Sequence, residues 1–326
     1  MTVHFVVPKP YAEQLAALPR QRVGVDYPYW VGGRFNWAAQ SWMVLREHRE
    51  GMTVGTAPEP GRVNFAHGMA WRALGERAGE FRLSVRADYP RLFDVDMEVL
   101  QNPVQPLAPG RAIYLPYWPV PGLVPRDPER REVKTVAYAG RIGGKNLSRE
   151  LLDGGLKAAG SLEFRVIGPD RWHDMREVDI LLAVRSLDRE THDDKPASKL
   201  WNAWRAGIPL VAGWDSAFSA VGRPGEDYLR CGSIDEVTAA LERLSGDAAH
   251  YERISAAGLQ RAPEVSHEAI AREWLDALDG PVAAAFEAWR ARGGRSPGQN
   301  VGRTIDRLRN LGTRLRQGSA AAARAD

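Results

Sequence analysis

The chain has 326 residues, of which 44% are hydrophobic and 26% are charged, and its formal net charge at pH 7 is +3. This length suits two domains of ordinary size, and the mild charge gives little support to nucleic-acid binding. The single cysteine, Cys231, excludes an internal disulfide and a cysteine-based metal cluster, and we predict no metal site. The sequence contains neither a signal-peptide pattern at its N-terminus nor an apolar run of about 18 residues, so we expect a cytoplasmic protein.

In the first half of the chain, short apolar runs alternate with helical patterns, as in an α/β domain. Strands are predicted at residues 3–7, 23–25, 52–55, 63–66, 81–85 and 97–100. A helix is predicted from Asn36, which is placed to cap it, to Glu47. Between about Pro103 and Arg131 prolines cluster, which is typical of a connection between two domains.

The second half has a more regular alternation. Strands are predicted at 133–139, 163–167 and 178–184, a glycine-rich turn at 140–145, and helices at 148–159 and 235–244. The third of these strands is apolar except for Asp179, which is typical of a parallel strand buried on both faces. Ser233 and Glu236 predict a capping box for the last helix. Strands separated by helices favour right-handed βαβ units and doubly wound sheets.

The most informative segment, residues 195–213, reads KPASKLWNAWRAGIPLVAG. It predicts a helix that begins near a lysine, a proline and a serine, ends at Gly207, and is followed by a buried strand at 210–212. Helix N-termini with cations nearby bind phosphate groups. The segment therefore predicts a phosphate site, of the kind that a nucleotide sugar needs.

The C-terminal part is predicted to be mostly helical from about residue 254 to 279, with a break at Pro263. The tail that follows combines a basic linker with one apolar helix face, formed by Val301, Ile305, Leu308, Leu311 and Leu315. A basic amphipathic helix docks on an anionic membrane, on a partner protein or on the body of its own chain. All three alternatives stay open, including a peripheral contact at the inner membrane face.

Two Rossmann-like domains with a proline-rich connection resemble the GT-B glycosyltransferases, and family 4 most clearly, over about residues 20–275. The resemblance depends on three matches in order: Trp30-Val31-Gly32-Gly33, then Ala139-Gly140-Arg141 with Lys145, then the segment 195–213. It implies the GT-B fold, in which two Rossmann-like domains face a central cleft and a helical C-terminal extension follows. The implied parts are an acceptor domain (1–130), a nucleotide-sugar domain (131–260), helices that pack back on the body (261–285), and a basic linker with an amphipathic tail (286–326).

The resemblance also implies a donor site. It assigns catalytic roles to Arg141 and Lys145, which would grip the diphosphate as charge builds on the leaving group, and to Asp194, which would touch the sugar. The implied donor-binding residues are Gly32, Gly33, Gly168, Trp172 and Asn202. Beyond the family's usual pattern, Lys195, Ser198 and Lys199 add cations and a hydroxyl at the helix start and are further donor-binding candidates. Asn202 would accept a hydrogen bond from the ribose, although the family has glutamate there and at position 194. The alternative is structural: the glycines form a tight turn, Trp172 packs, and the lysines face solvent.

Further polar residues follow the strands of the first domain and could bind the acceptor. They are His67, Arg86 and Asp88, with Gln101 and Asn102 as candidates that could instead pin the connection between the domains. Glu226 and Asp227 are weaker candidates for the donor sugar. A histidine at the end of a strand is as readily a hydrogen-bonded structural residue as a binding one.

The implied activity is transfer of a sugar from a nucleotide-diphosphate donor, such as a UDP- or GDP-sugar, to a glycan or lipid-linked acceptor. The resemblance implies a retaining, metal-independent reaction without a cofactor, in bacterial polysaccharide assembly. The alternative is a degenerate GT-B domain that binds a sugar nucleotide or a partner without catalysis, because both acidic positions of the motif differ from glutamate. An α/β oxidoreductase is disfavoured, since the sequence lacks the dinucleotide-binding glycine fingerprint.

Overall fold

A computed structural model describes residues 1–7, 11–17, 22–23, 33–74, 79–143, 153, 160–294, 304–305 and 308. Within these residues the chain forms two parallel β-sheets, one of six strands and one of five. The predicted helix at 148–159, apart from residue 153, and most of the tail 286–326 lie outside the described residues.

The first sheet has the strand order β2-β1-β3-β4-β5-β6, and all its pairings are parallel. Its strands are β1 (Val3–Val6), β2 (Met52–Gly55), β3 (Val63–His67), β4 (Phe81–Val85), β5 (Met97–Leu100) and β6 (Ala112–Tyr114). Every residue of β1, β3, β4 and β5 is buried, as expected where helices cover both faces of a parallel sheet. The helices in this half are α1 (Ala12–Ala17), α2 (Gly33–Leu45) and α3 (Gly68–Ala73).

Helix α2 begins three residues earlier than predicted, so the prediction that Asn36 caps it is wrong. Asn36 lies in the first turn, where its side chain hydrogen-bonds Tyr117 of the connection between the domains. The amide therefore makes a tertiary contact and does not cap the helix. The sequence also did not predict β6, which lies inside the proline-rich stretch, or the short helix α3.

The second sheet has the order β11-β10-β9-β7-β8 and is also parallel throughout. Its strands are β7 (Thr135–Ala139), β8 (Glu163–Ile167), β9 (Ile180–Ala183), β10 (Leu210–Ala212) and β11 (Leu229–Arg230). Strands β7 and β9 are shorter than predicted. The Asp179 carboxylate accepts hydrogen bonds from the backbone N–H groups of Lys134 (2.8 Å) and Thr135 (2.9 Å), which ends the regular pairing at that point.

The helices of this half are α4 (Ser198–Ala206), α5 (Ser216–Val221), α6 (Ile234–Gly246) and α7 (Ala248–Arg261). The helix, glycine and strand predicted in the segment 195–213 are confirmed. Gly207 ends α4 with a left-handed φ of 66°. At the start of α6, the Ser233 hydroxyl accepts from the Glu236 N–H at 3.1 Å, and the Glu236 carboxylate accepts from the N–H of Gly232 at 2.6 Å.

The last helices return to the first sheet. A 3-10 turn (Ala262–Val265) at the predicted break is followed by α8 (His267–Ala277), a π-helical turn (Leu278–Val282) and α9 (Ala283–Ala291). Trp274 of α8 packs on Phe65 of β3 with 5.3 Å between ring centroids, and Phe286 of α9 packs on Phe81 of β4 at 5.4 Å. These contacts hold the C-terminal helices against the first domain. No helix in the described parts of the chain has the length and apolar character needed to cross a bilayer.

Candidate functional site

The site lies where the strand order reverses in each sheet. The order changes direction between β1 and β3 in the first sheet and between β7 and β9 in the second. Ligands of open parallel sheets bind outside the carboxyl ends of the strands at such points. His67 ends β3, Arg141 follows β7 and Arg185 follows β9, and all three line one cavity of about 490 Å³ between the domains.

This cavity brings together many of the residues that the sequence singled out. Those in its wall are Gly33, His67, Asp88, Gln101, Arg141, Trp172, Lys195 and Lys199. The second domain contributes four cations, and the first contributes aromatic side chains, among them Tyr89 and Tyr117. One wall is therefore suited to an anionic group and the other to a neutral ring with hydroxyl groups.

Arg141 lies at the exposed end of β7, and no carboxylate partner for it is found among the described residues. The hydroxyl of the buried Tyr138 donates to the Arg141 carbonyl oxygen at 3.0 Å, which fixes the loop. A Cβ atom on Gly140 would lie 2.7 Å from the Tyr138 ring, so only glycine fits between them. This packing presents the Arg141 guanidinium to the cavity.

Lys199 lies in the first turn of α4, with its Nζ 5.4 Å from the centroid of the Tyr138 ring. Burial, assisted by the positive charges of Arg185 and Lys195, lowers the pKa of Lys199 to about 7, although Asp215 opposes the shift. The N-cap residue of α4 is Ala197, so no side chain caps the start of this helix. A helix start with a lysine that lacks full charge compensation favours an anion at this point.

Arg185 was missed by the sequence analysis. Its Nε donates to the buried Asp215 carboxylate at 2.7 Å, and its side chain is only 10% exposed. The only signal in the sequence was its position just after a buried strand. The loops that Arg185 faces depend on the strand order of the sheet, and the sequence pattern did not predict that order.

Lys195 and Asp88 form an ion pair between the two domains, with Nζ and Oδ2 2.6 Å apart. Burial raises the pKa of Asp88, but the hydrogen bond and charge of Lys195 outweigh this, and its pKa stays below the usual value. Both residues lie beside strained backbone, since Ala87 has φ 49° and His192, whose carbonyl accepts from the Lys195 N–H, has φ 46°. Left-handed residues other than glycine concentrate at functional sites.

A smaller cavity of about 140 Å³ adjoins the first, because Trp172 and Lys199 line both. Ser198 and Asn202 also line it. The Asn202 Oδ1 accepts a hydrogen bond from the backbone N–H of Val120 at 3.2 Å. The oxygen predicted to meet the ribose is therefore already bound to the connection between the domains, with one lone pair left.

Two predicted residues lie near the cavity but outside its wall. Asp194 contributes its backbone carbonyl to a hydrogen bond from Gln101 Nε2 at 2.7 Å, which joins the two domains. Arg86 turns its Nε towards the carbonyl oxygen of Tyr89, 3.4 Å away. Their proposed contacts with the sugar and the acceptor stay predictions.

The remaining predicted residues are spread more widely. Gly32 and Lys145 lie outside the described residues, and Gly168 leads into a 3-10 turn that precedes Trp172. Neither Glu226 nor Asp227 lines the cavity. Asp227 is buried in an ion pair with Arg261, its Oδ2 3.0 Å from Nη1, which explains its acidic side chain structurally.

Two facing parallel sheets, a cavity at their carboxyl ends and C-terminal helices that return to the first domain define the GT-B fold. No family model and no curated protein matches the sequence. Among solved structures, HepE of Anabaena in complex with UDP is similar with a TM-score of 0.50 and 10% identity, covering 86% of this chain and 100% of HepE.

TarM is similar with a TM-score of 0.50 and 8% identity, covering 74% of this chain and 58% of TarM. The pneumococcal O-GlcNAc transferase GtfA has a TM-score of 0.47 and 12% identity, over 76% of this chain and 60% of GtfA. The chain thus spans less than two thirds of the length of these two proteins. At such identities the similarity to HepE and TarM shows the fold.

Proposed function

We propose that the chain is a glycosyltransferase that moves a sugar from a nucleotide-diphosphate donor to a glycan or lipid-linked acceptor. The observation that carries the proposal is the cluster of four cations, Arg141, Arg185, Lys195 and Lys199, in one cavity at the facing ends of two parallel sheets. The GT-B fold adds support, and HepE, which has this fold, was crystallised with UDP.

The cations would act on the leaving group. As the bond between the sugar and the diphosphate breaks, negative charge grows on the phosphate oxygens, and fixed positive groups stabilise that charge more than the charge of the bound donor. Arg141 and Lys199 suit this role best, since neither has a carboxylate partner among the described residues. Lys145, outside the described residues, belongs to the same proposal.

The wall of the first domain would receive the acceptor. Tyr89 and Tyr117 offer ring faces for a sugar, and Asp88 offers a charged acceptor for its hydroxyl groups. The His67 Nδ1 accepts from the backbone N–H of Met69 at 3.1 Å, so the neutral ring carries its proton on Nε2. In this tautomer the Nε2–H of His67 is a hydrogen-bond donor. We propose retention, as the resemblance to family 4 implies, in which the departing phosphate assists the acceptor hydroxyl.

The test replaces Arg141 with alanine. We expect sugar transfer to fall by about 100-fold or more, the size found when a single group that stabilises developing charge is removed. The matched control is R131A, because Arg131 is 80% exposed and its ion pair is with the equally exposed Glu129 at 3.8 Å. Equal melting temperatures for the two variants would show that the fold is kept. Turnover by R141A at the wild-type rate would remove Arg141 from the proposal.

A second candidate is a domain that binds a sugar nucleotide without turning it over. The hydrogen bond from Val120 to Asn202 favours it, because the connection between the domains already occupies one lone pair of the oxygen that a ribose would need. A panel of nucleoside diphosphates in a thermal-shift assay, followed by donor hydrolysis and transfer assays, separates the two. Stabilisation without turnover across several donors and acceptors favours the binding domain, and turnover of any donor excludes it.

A further inference from the structure

The Asp88–Lys195 pair differs from the other ion pair in the cavity in where its partners come from. Arg185 and Asp215 both belong to the second domain. Lys195 precedes α4 in the second domain, whereas Asp88 follows β4 in the first. The ion pair between Lys195 and Asp88 therefore spans the cavity and joins the two domains.

We propose that the pair is an interdomain latch, in which Lys195 exchanges the Asp88 carboxylate for a phosphate group of the ligand. In the ligand-free protein Asp88 neutralises Lys195 and ties the loop after β4 to the loop before α4. When a phosphate-bearing ligand enters, its oxygens replace Asp88 at the Lys195 ammonium. The inference rests on the proposed function only in that the ligand carries phosphate.

The exposure of the two side chains makes such an exchange favourable. The Lys195 side chain is 8% exposed, so it needs a negative partner at all times, because an uncompensated buried charge is strongly destabilising. The Asp88 side chain is 42% exposed and can return to water once it is displaced. The lysine therefore keeps a partner throughout, while the carboxylate is free to leave.

The surrounding charges point the same way. Arg141 after β7, Arg185 after β9 and Lys199 on α4 face the same cavity from the second domain, and His67 faces it from β3. The three cations attract an anionic ligand to the place where Lys195 lies. Among the described residues that line this cavity, Asp88 is the only one with a carboxylate. It thus competes directly with the ligand, and its charge lowers the affinity for phosphate.

The experiment compares D88N with a matched control, S216A. Ser216 Oγ accepts a hydrogen bond from Asn102 Nδ2 across the same domain boundary at 2.9 Å, but it is neutral and does not line the cavity. Isothermal titration with inorganic pyrophosphate and with UDP measures affinity for the wild type and both variants. Urea unfolding checks that each variant is folded, and K195M serves as a second variant if D88N does not fold.

We expect D88N to bind pyrophosphate about threefold to tenfold more tightly than the wild type, as for the loss of one half-screened charge interaction. S216A should bind with unchanged affinity, and K195M should bind more weakly than the wild type. Equal or weaker binding by D88N, or no pyrophosphate binding by either protein, overturns the latch. If only K195M can be measured, pyrophosphate binding by K195M with the affinity of the wild type overturns the latch.

The outcomes also separate the latch from the proposed function. Tighter pyrophosphate binding by D88N together with no sugar transfer by the wild type would leave the latch standing and remove the transferase. Sugar transfer by the wild type, together with unchanged pyrophosphate affinity in D88N, would support the transferase and remove the latch. Small-angle scattering of the ligand-free proteins gives a further check, since the latch predicts that D88N is more expanded than S216A.

Discussion

Replacing Lys199 with methionine should make the protein more stable while weakening its hold on phosphate. Burial and the charge of Arg185 lower the pKa of Lys199 from 10.5 to about 7, so the folded protein disfavours the charged lysine that the unfolded chain carries. The folded state binds fewer protons than the unfolded state between these two pKa values. Stability therefore rises with pH through this window and is lowest below pH 7.

The size of the effect follows from the two pKa values. One pKa unit corresponds to about 1.4 kcal/mol, so a fully effective shift costs the wild type about 5 kcal/mol at pH 6 and about 2 kcal/mol at pH 9. Lys199 lines an open cavity and is only half-buried, so water recovers part of this cost. We expect the free energy of unfolding of K199M to exceed that of the wild type by about half of those values, which is about 2 kcal/mol at pH 6 and about 1 kcal/mol at pH 9.

Urea unfolding at pH 6 and pH 9, followed by fluorescence of the tryptophans, measures the difference. K195M is the contrasting control, since Lys195 already has a carboxylate partner in Asp88 and its removal should not give the gain in stability at low pH that is expected for K199M. Equal stability of the wild type and K199M at pH 6 would refute the burial of a charged Lys199. A difference in free energy of unfolding that grows towards pH 9 would refute it as well. Weaker pyrophosphate binding by K199M would complete the expected trade between stability and function.

Four further outcomes follow from particular contacts. The affinity of the wild type for pyrophosphate should fall as pH rises above about 7, where Lys199 loses its proton, and titration of K199M should show a flatter profile. D179N should lower the free energy of unfolding by about 3 kcal/mol at pH 7, because Arg130 and two backbone N–H groups hold the Asp179 pKa below its usual value against burial. The stabilisation by Asp179 is present above about pH 4 and is lost on acidification. In acid titrations below pH 4, the stability of D179N should therefore depend less on pH than that of the wild type. W274A should cost about 3 to 5 kcal/mol in urea unfolding, since the fully buried ring joins the C-terminal helices to the first sheet. G140A should weaken pyrophosphate binding in calorimetry, because the added Cβ would meet the Tyr138 ring at 2.7 Å and displace the Arg141 loop.

The sequence predicted the fold well where hydrophobic periodicity agrees with the residues that cap or end an element. The fully buried strands β1, β3, β4, β5, β9 and β10, the end of α4 at Gly207 and the cap of α6 at Ser233 were predicted and are confirmed. The predictions were incomplete for short elements. Helix α3 has six residues, too few for a helical period to appear, and its cap is His67, which sequence preferences do not favour as a cap.

Strand β6 was missed for a different reason. It lies inside a proline-rich stretch and has only three residues, which extend the edge of the first sheet. Prolines are tolerated around an edge strand, where fewer backbone N–H groups need a partner. Composition alone assigned the whole stretch to the connection between domains. Pairing with β5, a tertiary effect, decides its structure.

The candidate site separates what the order of residues along the chain can predict from what it cannot. Arg141, Lys195 and Lys199 were predicted because each lies in a local pattern that binds phosphate. Arg185 has no such pattern, and its side chain reaches the cavity only because β9 pairs directly with β7. Residues after strands that are neighbours in space but distant in sequence meet at one edge of a parallel sheet. The same reasoning explains Asp88 and Lys195, which are 107 positions apart and meet only because the two sheets face each other. Pairs of this kind depend on the arrangement of the domains, so a ligand that breaks such a pair changes that arrangement directly.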